Sequence, residues 1–245
     1  MQRATEDTDL ALAVSDWGTF RRIREALVAS KAFKPDRIEH RLWFGGQRLD
    51  LIPFGGVERD DRSIAWPSDG AEVMDVSGFN EALATALSVR LPGDSAFNVA
   101  SLPALALLKV LAWRDRKYTT PGKDAADLWM LLENYAEAGN EERLYNSEAE
   151  VLTTSGFDLE EAGAWLLGGD ARDVLAHGPQ PPKSLEELDA ILKPEIDPDG
   201  ALRLVGQMPA GSRDRQLALL TAFHDGLLRK PRSGPPRTVR RTGER

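Results

Sequence analysis

Polar and apolar residues alternate without a break through "DTDLALAV" at 7–14. Asp7, Asp9, Ala11 and Ala13 therefore share one face of a predicted strand, and Thr8, Leu10, Leu12 and Val14 the other. Ser15 or Asp16 can cap a following helix that carries Trp17, Phe20, Ile23 and Leu27 at helical spacing. "RIEHRLWFGGQRLDLIPF" then reads as two strands around a Gly45-Gly46 turn, with Asp50 on the second. Residues 55–77, rich in Gly, Asp and Ser, read as loop, followed by a short helix over Phe79–Leu87 and a strand near Ser88–Leu91.

From Ser101 the period becomes helical. "SLPALALLKVLAWRDR" opens with a capping serine and a first-turn proline, and "GKDAADLWMLLENYAEAG" runs as a second helix to Gly139. Further helices are expected near Leu159–Leu167, at "SLEELDAIL" with a capping box Ser184…Glu187, and at Arg213–Leu228. "HGPQPPK" at 177–183 is the clearest linker. The expected class is α+β, a small mixed sheet followed by a helical C-terminal half. The expected organisation is an α/β core over residues 1–100, a helical region over 101–228 and a tail over 229–245.

Charge changes the picture at that tail. Seven of the 31 Lys and Arg fall in 229–245 against one of the 39 acids, leaving 24 basic and 38 acidic residues in 1–228, a net of −14. An acidic body argues against broad contact with a nucleic-acid backbone, and the basic tail reads as a disordered solubilising terminus. The chain has no cysteine, which excludes disulfides and cysteine-ligated zinc and suits a reducing cytoplasm. No apolar run approaches the roughly 18 residues of a membrane span.

Two aspartates at i and i+2 on one strand face stand roughly 6.6–7 Å apart and repel unless a cation sits between them. Mg²⁺ takes hard oxygen ligands, and Asp50 on a neighbouring strand would complete the three carboxylates of a two-metal clamp. A solvated strand face explains the same D-x-D spacing, and on the residues alone both readings stand. His40, His177 and His224 form no catalytic constellation, and no Walker or G-x-G-x-x-G pattern occurs.

Four stretches in order carry a resemblance. "RATEDTDLAL" resembles the R-x-T-x-D-x-D stretch of AbiEii-type nucleotidyltransferases, the toxins of type IV toxin–antitoxin pairs within the polymerase-beta-like superfamily. "RLDLIPF" supplies the third aspartate, "LPALALLKVLAWRDR" is similar to the family's helix with a Lys and a later Arg, and "GKDAADLWMLL" to its K-D-x-x-D-L helix. The resemblance implies that Asp7, Asp9 and Asp50 hold Mg²⁺, with Asp50 a candidate base for the attacking hydroxyl. It implies that Lys109 meets the phosphates of an NTP, that Arg3, Arg116 and Lys123 neutralise phosphate or close the site, and that Asp124 and Asp127 orient those cations or touch the nucleotide. Thr5 belongs to the same nucleotide-binding motif.

Bland readings stand beside these. Lys109 can snorkel from its helix, Asp124 can charge a first turn, and Trp113, Leu128, Trp129, Leu131 and Leu132 read as core. The family begins with a strand, a Gly-rich loop and a helix ahead of R-x-T-x-D-x-D, whereas only Met1 and Gln2 precede Arg3. The expectation is a chain lacking the loop whose amides help hold phosphate. The implied function is transfer of a nucleoside monophosphate to an acceptor hydroxyl, on a tRNA end or a small molecule such as an antibiotic, under restraint by an antitoxin. The alternatives are a non-catalytic remnant that binds a nucleotide or a partner protein, and a glycosyltransferase using D-x-D with Mn²⁺, which the downstream helices do not support.

Overall fold

A computed structural model describes residues 7–67, 70, 72–91, 93, 95–154 and 156–229, and of Asp7, Thr153 and Thr154 the backbone alone. The alternating segment forms β1 (Asp7–Val14), and Asp16 caps α1 (Trp17–Ala29) by accepting the Thr19 amide at 2.7 Å. The chain returns through β2 (Phe33–Pro35), β3 (Arg41–Phe44) and β4 (Gln47–Gly55). These strands make one sheet in the order β1-β4-β3-β2, with β1 parallel to β4 and the other pairs antiparallel.

The two faces of this sheet differ. Leu42 and Leu51 lie buried on the face away from the aspartates. In the same core Trp17 and Phe20 of α1 meet Trp66, with ring centroids 5.4 and 5.8 Å apart. The opposite face carries Asp50, Ile52 and Phe54 along β4. Its far end is covered where Phe54 meets Phe79 at 5.7 Å, at the start of α2 (Phe79–Ala84). Ile52 and Phe54 are therefore core, while Asp50 sits toward the uncovered end.

Two small ribbons correct the sequence reading. The segment expected as loop contains β5 (Ser63–Ala65) paired with β6 (Val73–Asp75). The expected strand near Ser88 is β7 (Leu87–Arg90), and it pairs with an unforeseen β8 (Ala96–Val99). Leu87, Val89, Phe97 and Val99 share one exposed ribbon face.

The rest is helical: α3 (Leu102–Arg116), α4 (Lys123–Asn134), α5 (Glu141–Tyr145), α6 (Ala149–Thr154), α7 (Leu159–Leu175), α8 (Pro181–Ile196), α9 (Arg203–Gln207) and α10 (Arg213–Leu228). α7 lies in the middle of a second core, against α3, α4 and α10. The turn Ala136–Asn140 after α4 is tied to α7, because Asp170 accepts hydrogen bonds from Tyr135 Oη at 2.6 Å and Arg143 Nη1 at 2.6 Å. Trp113, Leu128 and Leu132 are buried in this core, with Trp129 and Leu131 packed against it. The 177–183 linker is shorter than expected. α8 already begins at Pro181, its first-turn prolines lacking only amides that a helix start leaves unpaired, so Ser184 is helical rather than a cap. No helix among the described residues is long and apolar enough to cross a membrane. The tail expected over 229–245 lies, beyond Arg229, outside the described residues.

Candidate active site

β1 and β4 run parallel with Asp9 opposite Asp50 and Asp7 opposite Arg48. Neighbouring strands stand about 4.8 Å apart, so the Asp9 and Asp50 side chains leave the same face side by side. Asp9 is exposed on β1, the edge strand among the described residues, whereas Asp50 is only 7% exposed.

Asp50 tolerates burial because β3 presents Arg41 directly across from it. Arg41 donates from Nε to Oδ1 at 2.7 Å and from Nη2 to Oδ2 at 2.8 Å, a bidentate pair. These bonds hold the Asp50 carboxyl below its ordinary range, against burial pushing it up, and the nearby charges of Arg41, His40 and Arg48 add to the effect. Asp50 is therefore a firmly ionised carboxylate.

Arg41 was absent from the sequence-derived set, yet its signal was there. A two-residue turn at Gly45-Gly46 pairs Phe44 with Gln47 and, counting outward, Arg41 with Asp50.

A second charged group lies where α3 packs on α4. Lys109 and Arg116, seven residues apart, share a face of α3, and Asp124 and Asp127, three apart, share a face of α4. Lys109 Nζ stands 2.6 Å from Asp127 Oδ2 and 3.7 Å from Asp124 Oδ1. Arg116 donates from Nη2 to Asp124 Oδ1 at 2.7 Å and from Nε to Oδ2 at 3.1 Å. Asp124, 2% exposed, sits in the first turn of α4, where the helix dipole also favours an acid. Lys109 does not simply snorkel, because its ammonium is engaged by both aspartates. Lys123, the first residue of α4, is exposed. Two cations thus meet two carboxylates, with Lys109 and Arg116 still partly open to solvent.

The structure brings Asp9 and Asp50 together on the sheet, and Lys109, Arg116, Asp124 and Asp127 together on the helices. Arg3 and Thr5 lie outside the described residues, as does the Asp7 side chain. Among the described residues no three carboxylate or imidazole groups gather as a metal centre. The donor chemistry at Asp9 and Asp50 nevertheless suits Mg²⁺: both offer only oxygen, and each Asp50 oxygen keeps a lone-pair site after accepting from Arg41.

A paired carboxylate on neighbouring strands, upstream of a Lys–Asp helix pair, can now be set beside known proteins. A family model described as "Nucleotidyl transferase AbiEii toxin, Type IV TA system" matches residues 1–224. The chain belongs to the AbiEii family of nucleotidyltransferase toxins. No curated protein and no solved structure matches it. The AbiEii match spans both the sheet with Asp9 and Asp50 and the helices with Lys109 and Asp124, so both charged groups fall within the family's extent. Family membership implies a nucleotidyltransferase of the toxin–antitoxin type.

Proposed function

We propose that this chain transfers a nucleoside monophosphate from an NTP to an acceptor hydroxyl with Mg²⁺ held by Asp7, Asp9 and Asp50. The observation that carries the reading is the register of Asp9 opposite Asp50 on one sheet face in an AbiEii-family chain. The acceptor oxygen forms a bond to the α-phosphorus, the bond from that phosphorus to the bridging oxygen breaks, and pyrophosphate leaves. The hydroxyl proton passes to water. Bound Mg²⁺ supplies charge stabilisation to the attacking and leaving oxygens.

The chain's own residues supply position and charge. Arg41 keeps Asp50 ionised and fixes the plane of its carboxylate. An ionised Asp50 is in the form that both a metal ligand and a base for the attacking hydroxyl require. Lys109, Arg116 and Lys123 neutralise the triphosphate, with Asp124 and Asp127 orienting them, and Arg3 and Thr5 add contacts from the N-terminal motif. The acceptor is an RNA end or a small molecule, an antitoxin protein restrains the enzyme, and NTP dependence places the reaction in the cytoplasm.

The test is transfer from α-³²P-labelled NTPs to total bacterial RNA. Asp9→Asn should lower labelling by at least about a hundredfold with the fold intact by circular dichroism. An unchanged rate would remove the metal assignment. The Arg41 clamp on Asp50 favours one competing reading, a chain that binds nucleotide without turnover. That reading predicts NTP binding by calorimetry with no label on any acceptor.

A further inference from the structure

We propose that the β7–β8 ribbon is a self-association surface, on which a second copy of this chain packs face to face around a two-fold axis. The ribbon is sharply sided. Its register pairs Leu87 with Val99 and Val89 with Phe97, and two residues further along the Leu91 amide donates to the Ser95 carbonyl oxygen at 2.8 Å. Alternation therefore puts Leu87, Val89, Leu91, Phe97 and Val99 on one face with Ser95, and leaves Arg90 on the other with Ser88 and Asn98. That is the pattern of a ribbon buried on one side.

Nothing among the described residues buries it. The five apolar side chains are each 41–50% exposed. None of them belongs to either core or to the apolar residues packed against one. A two-stranded ribbon is only marginally stable by itself, and independent stability takes at least about three strands with an apolar face, or packing against a helix. Two copies facing each other supply four strands, with apolar side chains filling the layer of about 10 Å between the ribbons.

Charge selects a second copy as the occupant. Around a two-fold axis a surface meets itself, so any charge near the axis meets its like. The chain carries a net charge of −8, which makes self-contact repulsive over much of its surface. This face holds no ionisable side chain, and Arg90 points away from it. A nucleic acid or an anionic membrane gains nothing from a face without cations. The five side chains make a patch of several hundred Å², and two such patches with their rims bury roughly 1,000 Å², the low end of specific interfaces. Association at that size is expected in the micromolar range.

The experiment follows the mass of the full chain by light scattering across a concentration series. Wild type should move from 26.9 kDa toward twice that mass as concentration rises. Phe97 belongs to the central pair of the face, so Phe97→Glu brings two carboxylates together and should weaken association by at least about a hundredfold. Phe97→Lys should do the same, and an equimolar mixture of the two variants should dimerise again because opposite charges then meet. Mixing cannot repair a damaged ribbon, so this rescue separates a lost contact from a lost fold. Arg90→Glu, on the far face, should leave the mass curve unchanged. A wild type that stays at 26.9 kDa throughout would overturn the proposal and leave the face to a different protein. A dimer that survives Phe97→Glu, or a mixture that remains monomeric, would overturn it as well.

Discussion

One guanidinium decides what Asp50 is. A carboxylate this buried would ordinarily be pushed toward its neutral form, and Arg41 reverses that with two charge-assisted bonds. Because the folded pKa is depressed, the pair's contribution is complete above the unfolded carboxylate value near 3.9. It is lost as pH falls through the folded value. Arg41→Met, which keeps the apolar stem, should cost about 2–3 kcal/mol at pH 7. The gap from wild type should shrink progressively below about pH 4, as read by urea denaturation at several pH values. A gap that persisted unchanged at pH 2 would mean that Arg41 stabilises through packing instead. The partnership was legible in the sequence, since the turn at Gly45-Gly46 fixes which residue faces Asp50. The α3–α4 ion pairs were only half legible. Helical spacing gathered Lys109 with Arg116 and Asp124 with Asp127, but which helix faces meet is settled by the core beneath them.

Among the elements, α7 shows why some boundaries escape the sequence. Gly168 and Gly169 interrupt its apolar pattern, so the helix was expected to stop at Leu167, yet it continues to Leu175. The glycines let α10 approach. A Cβ at Gly168 would lie 1.9 Å from the Phe223 carbonyl oxygen, and one at Gly226 would lie 2.0 Å from that of Trp165. Glycine costs a helix about 1 kcal/mol, and here closer packing of two helices offsets it. Gly168→Ala should therefore destabilise the protein by about 2–4 kcal/mol despite its better helix propensity. A thermal melt showing no loss would show that α7 and α10 can separate at little cost. By contrast β1 and α10 match their expected bounds, and α1 starts at its expected cap, because strict alternation and a capping side chain mark local choices. The β5–β6 ribbon was missed for the opposite reason, its strands being three residues long and too short for a period to emerge.

At the scale of the molecule there are two buried cores, one drawn from residues 14–76 around the sheet and one from residues 82–227 around α7. The catalytic proposal needs both, since Asp9 and Asp50 stand on the first and Lys109 and Arg116 on the second. Arg114 of α3 ties them. Its guanidinium meets Asp75 of β6 at 2.6 Å, its neighbour Asp115 at 2.6 Å, and Glu187 of α8. Burial works against its charge, and the carboxylates of Asp115, Asp75 and Glu187 together raise its pKa above the ordinary value. The group stays ionised at every accessible pH, so the tie weakens only where its carboxylates are protonated. Arg114→Ala removes the shared cation and leaves Asp75 and Glu187 with one partner fewer. It should cost about 1–3 kcal/mol. It should also separate two transitions in urea, because each core retains its own apolar contacts while a joint between them is gone. Hydrogen–deuterium exchange in urea, read by mass spectrometry on peptides from residues 14–76 and from residues 82–227, follows the two cores separately. In wild type the two curves should coincide, and in the variant they should part. Coincident curves in Arg114→Ala would mean that apolar contacts of α2, which packs Phe79 on the sheet core and Ala82 into the helical one, couple the cores without help from charge.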